Sequence, residues 1–285
     1  MSVHGVRWSS VLLAILVGWA PAAAQKAPPL ADLLTLAGEG VARYAQQLGT
    51  VAVNEEFMQY ETNSGRMGTP KRVNSQILFF AQDDGTLANF RDVVAIDSVA
   101  VRPKDDRLPS LFKRPTAESI GSAQTMTDDA VKAYINPLLH ILDRPTLALD
   151  LLRAENQADY TYKVEGNKTL DGTPVVVLKF NEKGKGHTVT NASAVGRYWI
   201  EPTSGAVHQT ELGFSSQNAN IHATVRFTKD AQLGVLLPSE LAETAEASSG
   251  GAAMSDMGAA GGAGAGGHAA VEGRAAYSKY RRPGA

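Results

Sequence analysis

Apolar residues recur along this chain at two periods, and the change from one to the other marks out its elements. Between Pro29 and Leu48, the residues Leu30, Leu33, Leu34, Ala37, Val41 and Tyr44 follow a helical spacing and predict an amphipathic N-terminal helix. The stretch VAVNEEFMQYET then places Val51, Val53 and Phe57 on one parity and runs into the turn-rich Asn63-Ser64-Gly65. RVNSQILFFAQDDG reads as a strand closed by Asp83-Asp84-Gly85, and the two make a hairpin. NFRDVVAIDSVAVRP supplies one or two more short strands.

The middle changes period. Thr116 to Asn136 is compatible with a helix, and PLLHILDRPTLALDLLR is dense in leucine but interrupted by Pro145. Proline ends or kinks a helix, so this predicts two short, very apolar helices joined at Arg144-Pro145. Strands resume at ADYTYKVEG, which pairs with TPVVVLKFNE across NKTLDG. GRYWIEPTSGAVHQTELGF then reads as two extended segments around a turn, with Gly205 at the bend and Tyr198 and Ile200 on the face opposite Trp199.

ANIHATVRFTKD alternates cleanly. Ala219, Ile221, Ala223, Val225 and Phe227 share one side; Asn220, His222, Thr224, Arg226 and Thr228 share the other, as in an antiparallel sheet with one wet face. VLLPSELAETAEA is a further strand. A Gly/Ala-rich run at about 248–268 separates it from a last one at about 271–282, EGRAAYSKYRR. The run cannot form a core and reads as a disordered hairpin loop, because the residues beyond it are far too few for a second domain.

The tally is eight to eleven antiparallel strands, an N-terminal helix and a central helical insertion. A sheet of that size in one modest domain must curl. The expected fold class is therefore α+β: a large curved antiparallel sheet, an incomplete β-barrel, with helices covering its concave face.

Composition adds an address. The start, MSVHGVRWSSVLLAILVGWAPAAAQ, carries a basic n-region, an apolar run from Val11 to Ala20 and a small-residue A-x-A site, which predicts a signal peptide, residues 1–24, cut after Ala24. The apolar run is short of the roughly 20 residues a spanning helix needs. No later segment is apolar enough to cross a membrane, so residues 25–285 are expected as one domain in the periplasm or outside the cell.

The chain contains no cysteine, which excludes disulfides and a lipid-modified N-terminal cysteine. Stability must come from a packed core. Loss of Arg7 with the signal leaves 26 basic residues (27 less one) against 29 acidic, so there is no electrostatic footprint for nucleic acid. The one basic cluster, Lys279, Arg281 and Arg282, reads as a solvated edge.

Candidate chemistry is thin. Ser110-Leu-Phe-Lys113 has the S-x-x-K spacing of penicillin-binding enzymes and Ser216-Gln-Asn218 the S-x-N form, but the K-T-G element is missing after them. His140, His187, His208 and His222 have neither the i, i+4 nor the H-x-H spacing of a metal site, so no metal or cofactor is expected. The paired acids Asp83-Asp84, Asp105-Asp106 and Asp128-Asp129 fall where Asp caps backbone amides. Glu55-Glu56 lies inside a strand, so one carboxylate points inward, with no partner named by the sequence. An enzymatic reading, third in order, gains ground only if folding brings Glu55 or Glu56, His208 and Arg226 together at a cleft.

The segments FRDVVAID, DRLPSLF, INPLLHILDRPTLALDLL, GRYWIEPTSGAVHQTEL, LGVLLPSEL and GRAAYSKYRR resemble a family of exported bacterial proteins with no established activity. More distantly, the order of elements and the W-I-x-P-x-[ST]-G turn of Trp199 to Gly205 are similar to LolA-like lipoprotein carriers of the outer-membrane lipoprotein-sorting superfamily. That resemblance implies a half-closed barrel whose concave apolar face, plugged by helices, receives acyl chains. The carriers' partner-docking residues are not evident, and the Gly/Ala run departs from their pattern.

The reading that follows is a non-enzymatic periplasmic binding or carrier protein for an apolar ligand such as a lipid or lipoprotein acyl chain. Leu138, Leu139, Ile141, Leu142, Leu147, Leu149 and Leu152 are its expected ligand-contacting residues. The alternative is that these leucines fill the core, leaving an envelope structural or protein-interaction module whose partner is another envelope protein. Cavity volume separates the two.

Overall fold

The computed structural model describes residues 27–63, 66–103, 105–135, 142, 144–184, 192–215, 219–247 and 269–283. The expected signal segment, most of the first leucine-rich helix and the Gly/Ala-rich run lie outside these residues. Helix α1 spans Leu30–Leu48 and leads into strands β1 (Thr50–Asn63), β2 (Arg66–Met67), β3 (Lys71–Ala81), β4 (Leu87–Ile96) and β5 (Val99–Ala100). Helices α2 (Arg107–Leu111), α3 (Ala117–Ala130) and α4 (Leu147–Leu151) occupy the middle. Strands β6 (Tyr160–Leu170), β7 (Thr173–Glu182), β8 (Ala194–Ile200), β9 (Val207–Ser215), β10 (Ala219–Lys229), β11 (Leu236–Ala247) and β12 (Ala269–Arg281) complete the fold.

All twelve strands form one antiparallel sheet in the order β5-β4-β3-β1-β12-β11-β10-β9-β8-β7-β6, with β2 folded back on β1. The final strand thus enters the middle of the sheet, pairing with β1 from Ala52↔Arg281 to Asn63↔Ala269 and with β11 from Glu240↔Ala276 to Glu246↔Ala270. The sheet is strongly curved. β3 and β6 lie eight strand spacings apart, about 38 Å if flat, yet α1, about 28 Å long at 19 residues, touches both.

Local chemistry explains several boundaries. The loop expected at NKTLDG shrinks to Asp171-Gly172, both at positive φ (49° and 83°), because β6 continues to Leu170 opposite Thr173. That is the two-residue hairpin geometry whose twist matches its strands. At the start of α3, Thr116 and Ser119 form a capping box, each side chain accepting from the other's backbone N–H. Helix α1 ends at Gly49, φ 54°, and its last carbonyls are covered from the far end of the chain: the Arg282 guanidinium donates to Gln47 O at 2.8 Å and to Leu48 O. Of the basic cluster, Lys279 is exposed, but Arg282 is no solvated residue. Arg281 likewise donates to Asp106 Oδ1 at 2.5 Å and to Asn54 Oδ1 at 3.2 Å.

The helices divide between the two faces. On the concave face, Leu33, Ala37, Val41, Ala45 and Leu48 of α1, and Leu147, Leu149 and Leu151 of α4, join one core with residues of both sheet halves. On the outer face, α2 and α3 cover only the β3–β4 end, where Leu108, Phe112 and Ala123 meet Ala52, Leu78 and Phe90. Ile77 and Phe79 lie in the first cluster and Leu78 in the second, as alternation along β3 demands.

An open sheet has two edges to protect. At one, side chains stand in for a neighbouring strand: Leu87 N–H donates to Asp150 Oδ1 at 3.2 Å and Arg91 N–H to Thr127 Oγ1 at 2.9 Å. At the other, β6 breaks register between Val164 and Gly166, the latter at φ 147°, and exposes Lys163 and Lys168. Bulges and edge lysines both discourage a further strand.

Candidate functional site

Two turns converge beside α1. The β8–β9 turn is built by Gly205 N–H donating to Glu201 O at 2.9 Å and by Glu201 N–H donating to Ala206 O at 2.8 Å, with Ser204 Oγ donating to Glu201 Oε2 at 2.5 Å. Gly205 sits at φ 72°, and a Cβ there would lie 2.1 Å from Leu36 O, while a Cβ at Gly40 would lie 2.3 Å from Gly205 O. The two glycines let turn and helix touch backbone to backbone, and the Arg43 guanidinium closes the contact on Ser204 O. The hairpin expected to wall a curved sheet also clamps its plug. The β10–β11 turn, organised by Asp230 Oδ1 accepting from Gln232 N–H and Leu233 N–H, brings Gly234 and Leu236 to the same place.

Between them opens a cleft of about 430 Å³. Its floor is apolar: Val41, Leu149, Val207, Phe227 and Leu236. Its rim is polar, with Arg43, Gln47, Glu201, Ser204, His208 and Lys229. The Tyr44 ring meets Phe227 edge-on, centroids 6.3 Å apart at 86°. Two polar atoms of its lining residues, Tyr44 Oη and His208 Nε2, are buried away from its surface with no hydrogen-bond partner among the described residues; Glu201 Oε2 lies 3.9 Å from the imidazole. Burial pushes the Tyr44 hydroxyl far above the ordinary phenol range, so it is a neutral donor.

Of the residues expected to contact ligand, Leu149 alone among those described lines this cleft. Leu142, Leu147 and Leu152 pack in the core, no more than 5% exposed, while Leu138, Leu139 and Ile141 lie outside the described residues. Glu55 does point inward, onto a partner the sequence did not reveal: Arg91 holds it with Nε at 3.0 Å and Nη2 at 2.8 Å. Glu56 and Arg226 line a separate groove on the outer face, and His208 lies in the cleft, so this trio of groups does not meet. His222 is exposed on β10, and His140, His187, Ser216 and Asn218 fall outside the described residues. Asp128 and Asp129 lie near the end of α3, not its start, where they take Gln124 and Lys132 as partners. No group of metal-binding side chains occurs among the described residues.

Tyr44, Gly40, Arg43 and Lys229 were not foreseen as site residues. A usable signal existed for one: Tyr44 is a hydroxyl-bearing residue on the buried stripe of α1, where a plain apolar side chain would have sufficed.

No family model matches the chain, and no curated protein matches it. Among solved structures, a DUF1329 family protein from Desulfovibrio piger is similar at 11% identity over 88% of this chain and 93% of the other, with a TM-score of 0.38. A LolA superfamily protein from Nitrosomonas europaea is similar at 14% identity over 90% and 94%, with a TM-score of 0.33. The expected LolA-like resemblance is present as a distant one, and it assigns no residue a role.

Proposed function

We propose that the protein is a non-enzymatic binding or carrier protein of the periplasm that holds an apolar ligand, such as a lipid or lipoprotein acyl chain, in the cleft beside α1. The observation that carries this reading is the cleft itself: about 430 Å³, within the ordinary range of ligand sites, with an apolar floor under a polar rim. A second reading, an envelope interaction module without a small ligand, draws support from Leu142, Leu147, Leu151 and Leu152, which fill the interior instead of lining a void. In the carrier reading, Leu149 at the floor is where the leucine-rich segment meets ligand.

Native mass spectrometry with solvent extraction, on protein purified gently from an expressing bacterium, tests the choice. A co-purifying lipid that is lost in Leu236→Glu, a half-buried cleft position at the margin of the core, in protein whose Tm is unchanged, is the expected result. A bare polypeptide mass after incubation with membrane lipids overturns the carrier reading in favour of the module.

A further inference from the structure

The sheet guards its edges unevenly. Side chains of Asp150 and Thr127 cover β4 as far as Arg91, and the β6 edge carries its bulge and lysines, but β5 has neither device. Every residue from Asp97 to Val101 is exposed, Val99 at 68% and Val101 at 49%, and no charge lies between Asp97 and Arg102. Val99 faces Ile96 and Ala100 faces Ala95 across the hairpin, and Val101 N–H donates to Val94 O at 3.1 Å. Backbone groups of successive residues point to alternate sides of an antiparallel strand, so Ala100 N–H and C=O are aimed outward, away from β4. A bare apolar edge of this kind is a template for another strand.

We propose that β5 pairs antiparallel with β5 of a second copy of this chain, about a two-fold axis at Ala100. The two Ala100 residues then exchange both backbone hydrogen bonds, and Val99 of each copy stands opposite Val101 of the other, closing the exposed valines against each other on one face. Charge favours the same register. Asp92 is held by Arg107 at 3.2 and 2.6 Å, which leaves Arg102 a distant second partner at 3.9 Å. The pairing sets Arg102 opposite Ser98 of the other copy, within reach of that copy's exposed Asp97, and symmetry supplies the contact twice. A strand from an unrelated protein meets the same edge without that reciprocal fit. Pro103 ends the run, so the contact is short and reversible.

The chain contains no cysteine, so introduced thiols report the pairing directly. Full-length Val99→Cys and Val101→Cys proteins, each with an unchanged Tm, are oxidised separately and as an equal mixture. Positions 99 and 101 of different copies face each other, whereas 99 with 99 or 101 with 101 is a diagonal at the limit of disulfide reach, so the mixture is expected to cross-link about tenfold faster than either protein alone. Equal rates overturn the register and the proposal with it. Sedimentation equilibrium of wild type at millimolar concentration is expected to show a dimer, and Val99→Lys, which puts a charge at the edge, is expected to weaken it by about tenfold or more. A wild type that stays monomeric leaves the edge to another occupant and overturns pairing with a second copy. A dimer indifferent to Val99→Lys places the interface elsewhere and overturns the assignment to β5.

Discussion

The two halves of the concave face are furnished differently. Strands β6 to β10 bury Val176, Leu178, Phe180, Tyr198, Ile200, Leu212 and Phe214, with Thr210 as their one buried polar residue among those described. Strands β1, β3, β4, β11 and β12 bury Glu55, Gln59, Ser75, Arg91 and Glu243 among their apolar residues. Apolar surface is attractive without regard to angle, so the first half tolerates small shifts of its plug. The second half is held by directional bonds. Gln59 Oε1 accepts from Ile135 N–H at 2.7 Å, and the Arg91 guanidinium, already on Glu55, lies 5.7 Å from the Tyr134 ring centre. The segment after α3 is therefore registered on the polar half, whereas α4 touches both: Tyr198 of β8 donates to Ala148 O, and Asp150 Oδ1 accepts from Leu87 N–H of β4.

The largest effect that would break this contrast is loss of one partner of the buried ion pair. Arg91→Met leaves Glu55 charged in the core, and unfolding in denaturant should show a loss of about 3–5 kcal/mol. The double variant Glu55→Met/Arg91→Met should recover most of it, since a buried pair contributes little net stability over apolar residues. Equal losses in single and double variants would mean that directional pairing is not what sets this half apart.

A smaller effect sits where α4 meets the sheet edge. Burial pushes the Asp150 carboxyl up from 3.8 to about 6, against the opposing hydrogen bond from Leu87 N–H and the Arg144 charge. A raised native pKa stabilises the fold at low pH, and that contribution disappears as pH rises from about 4 through 6. The shift amounts to about 3 kcal/mol at most. Asp150→Asn keeps an acceptor for Leu87, so it should flatten the stability profile over this window and be more stable than wild type at pH 7. A profile as steep as that of wild type would place the proton uptake elsewhere.

The smallest effect tests the apolar half. Tyr198 stacks on Phe180 with ring centres 4.7 Å apart and donates to Ala148 O at 2.9 Å. Tyr198→Phe should cost about 1 kcal/mol, far less than the ion-pair variant. A loss as large as that of Arg91→Met would erase the distinction between the halves.

Much of the fold was legible because periodicity is local. The alternation of Ile221, Ala223, Val225 and Phe227 marked the buried side of β10, Pro145 marked the break before α4, and the Asp171-Gly172 pair marked a hairpin, although β6 runs closer to it than its polar composition indicated. What was not legible is partnership at a distance. Arg91 sits in FRDVV with nothing nearby to name Glu55, 36 residues away, as its partner. Arg282 lies 235 residues from the helix carbonyl it caps. The division of helices between the two faces depends on where the chain crosses the sheet edge, which no period encodes. The cleft is assembled from α1, α4, the start of β7, two turns and the end of β10, each contributing one to five residues, so no short motif could announce it.

The central seat of β12 governs how this sheet can be made. The block β5-β4-β3-β1 and the block β11 through β6 have no strand pairing with each other except through it. A nascent chain that has not yet emerged as far as Ala269 therefore carries two smaller sheets, each with a raw edge, at β1 and at β11. Joining them requires contacts between positions more than two hundred residues apart, such as Ala52 with Arg281, which puts the slowest loop closure at the end of the process. Until that step both edges are templates for the wrong strand, and a holding factor that binds extended chains would act in that interval.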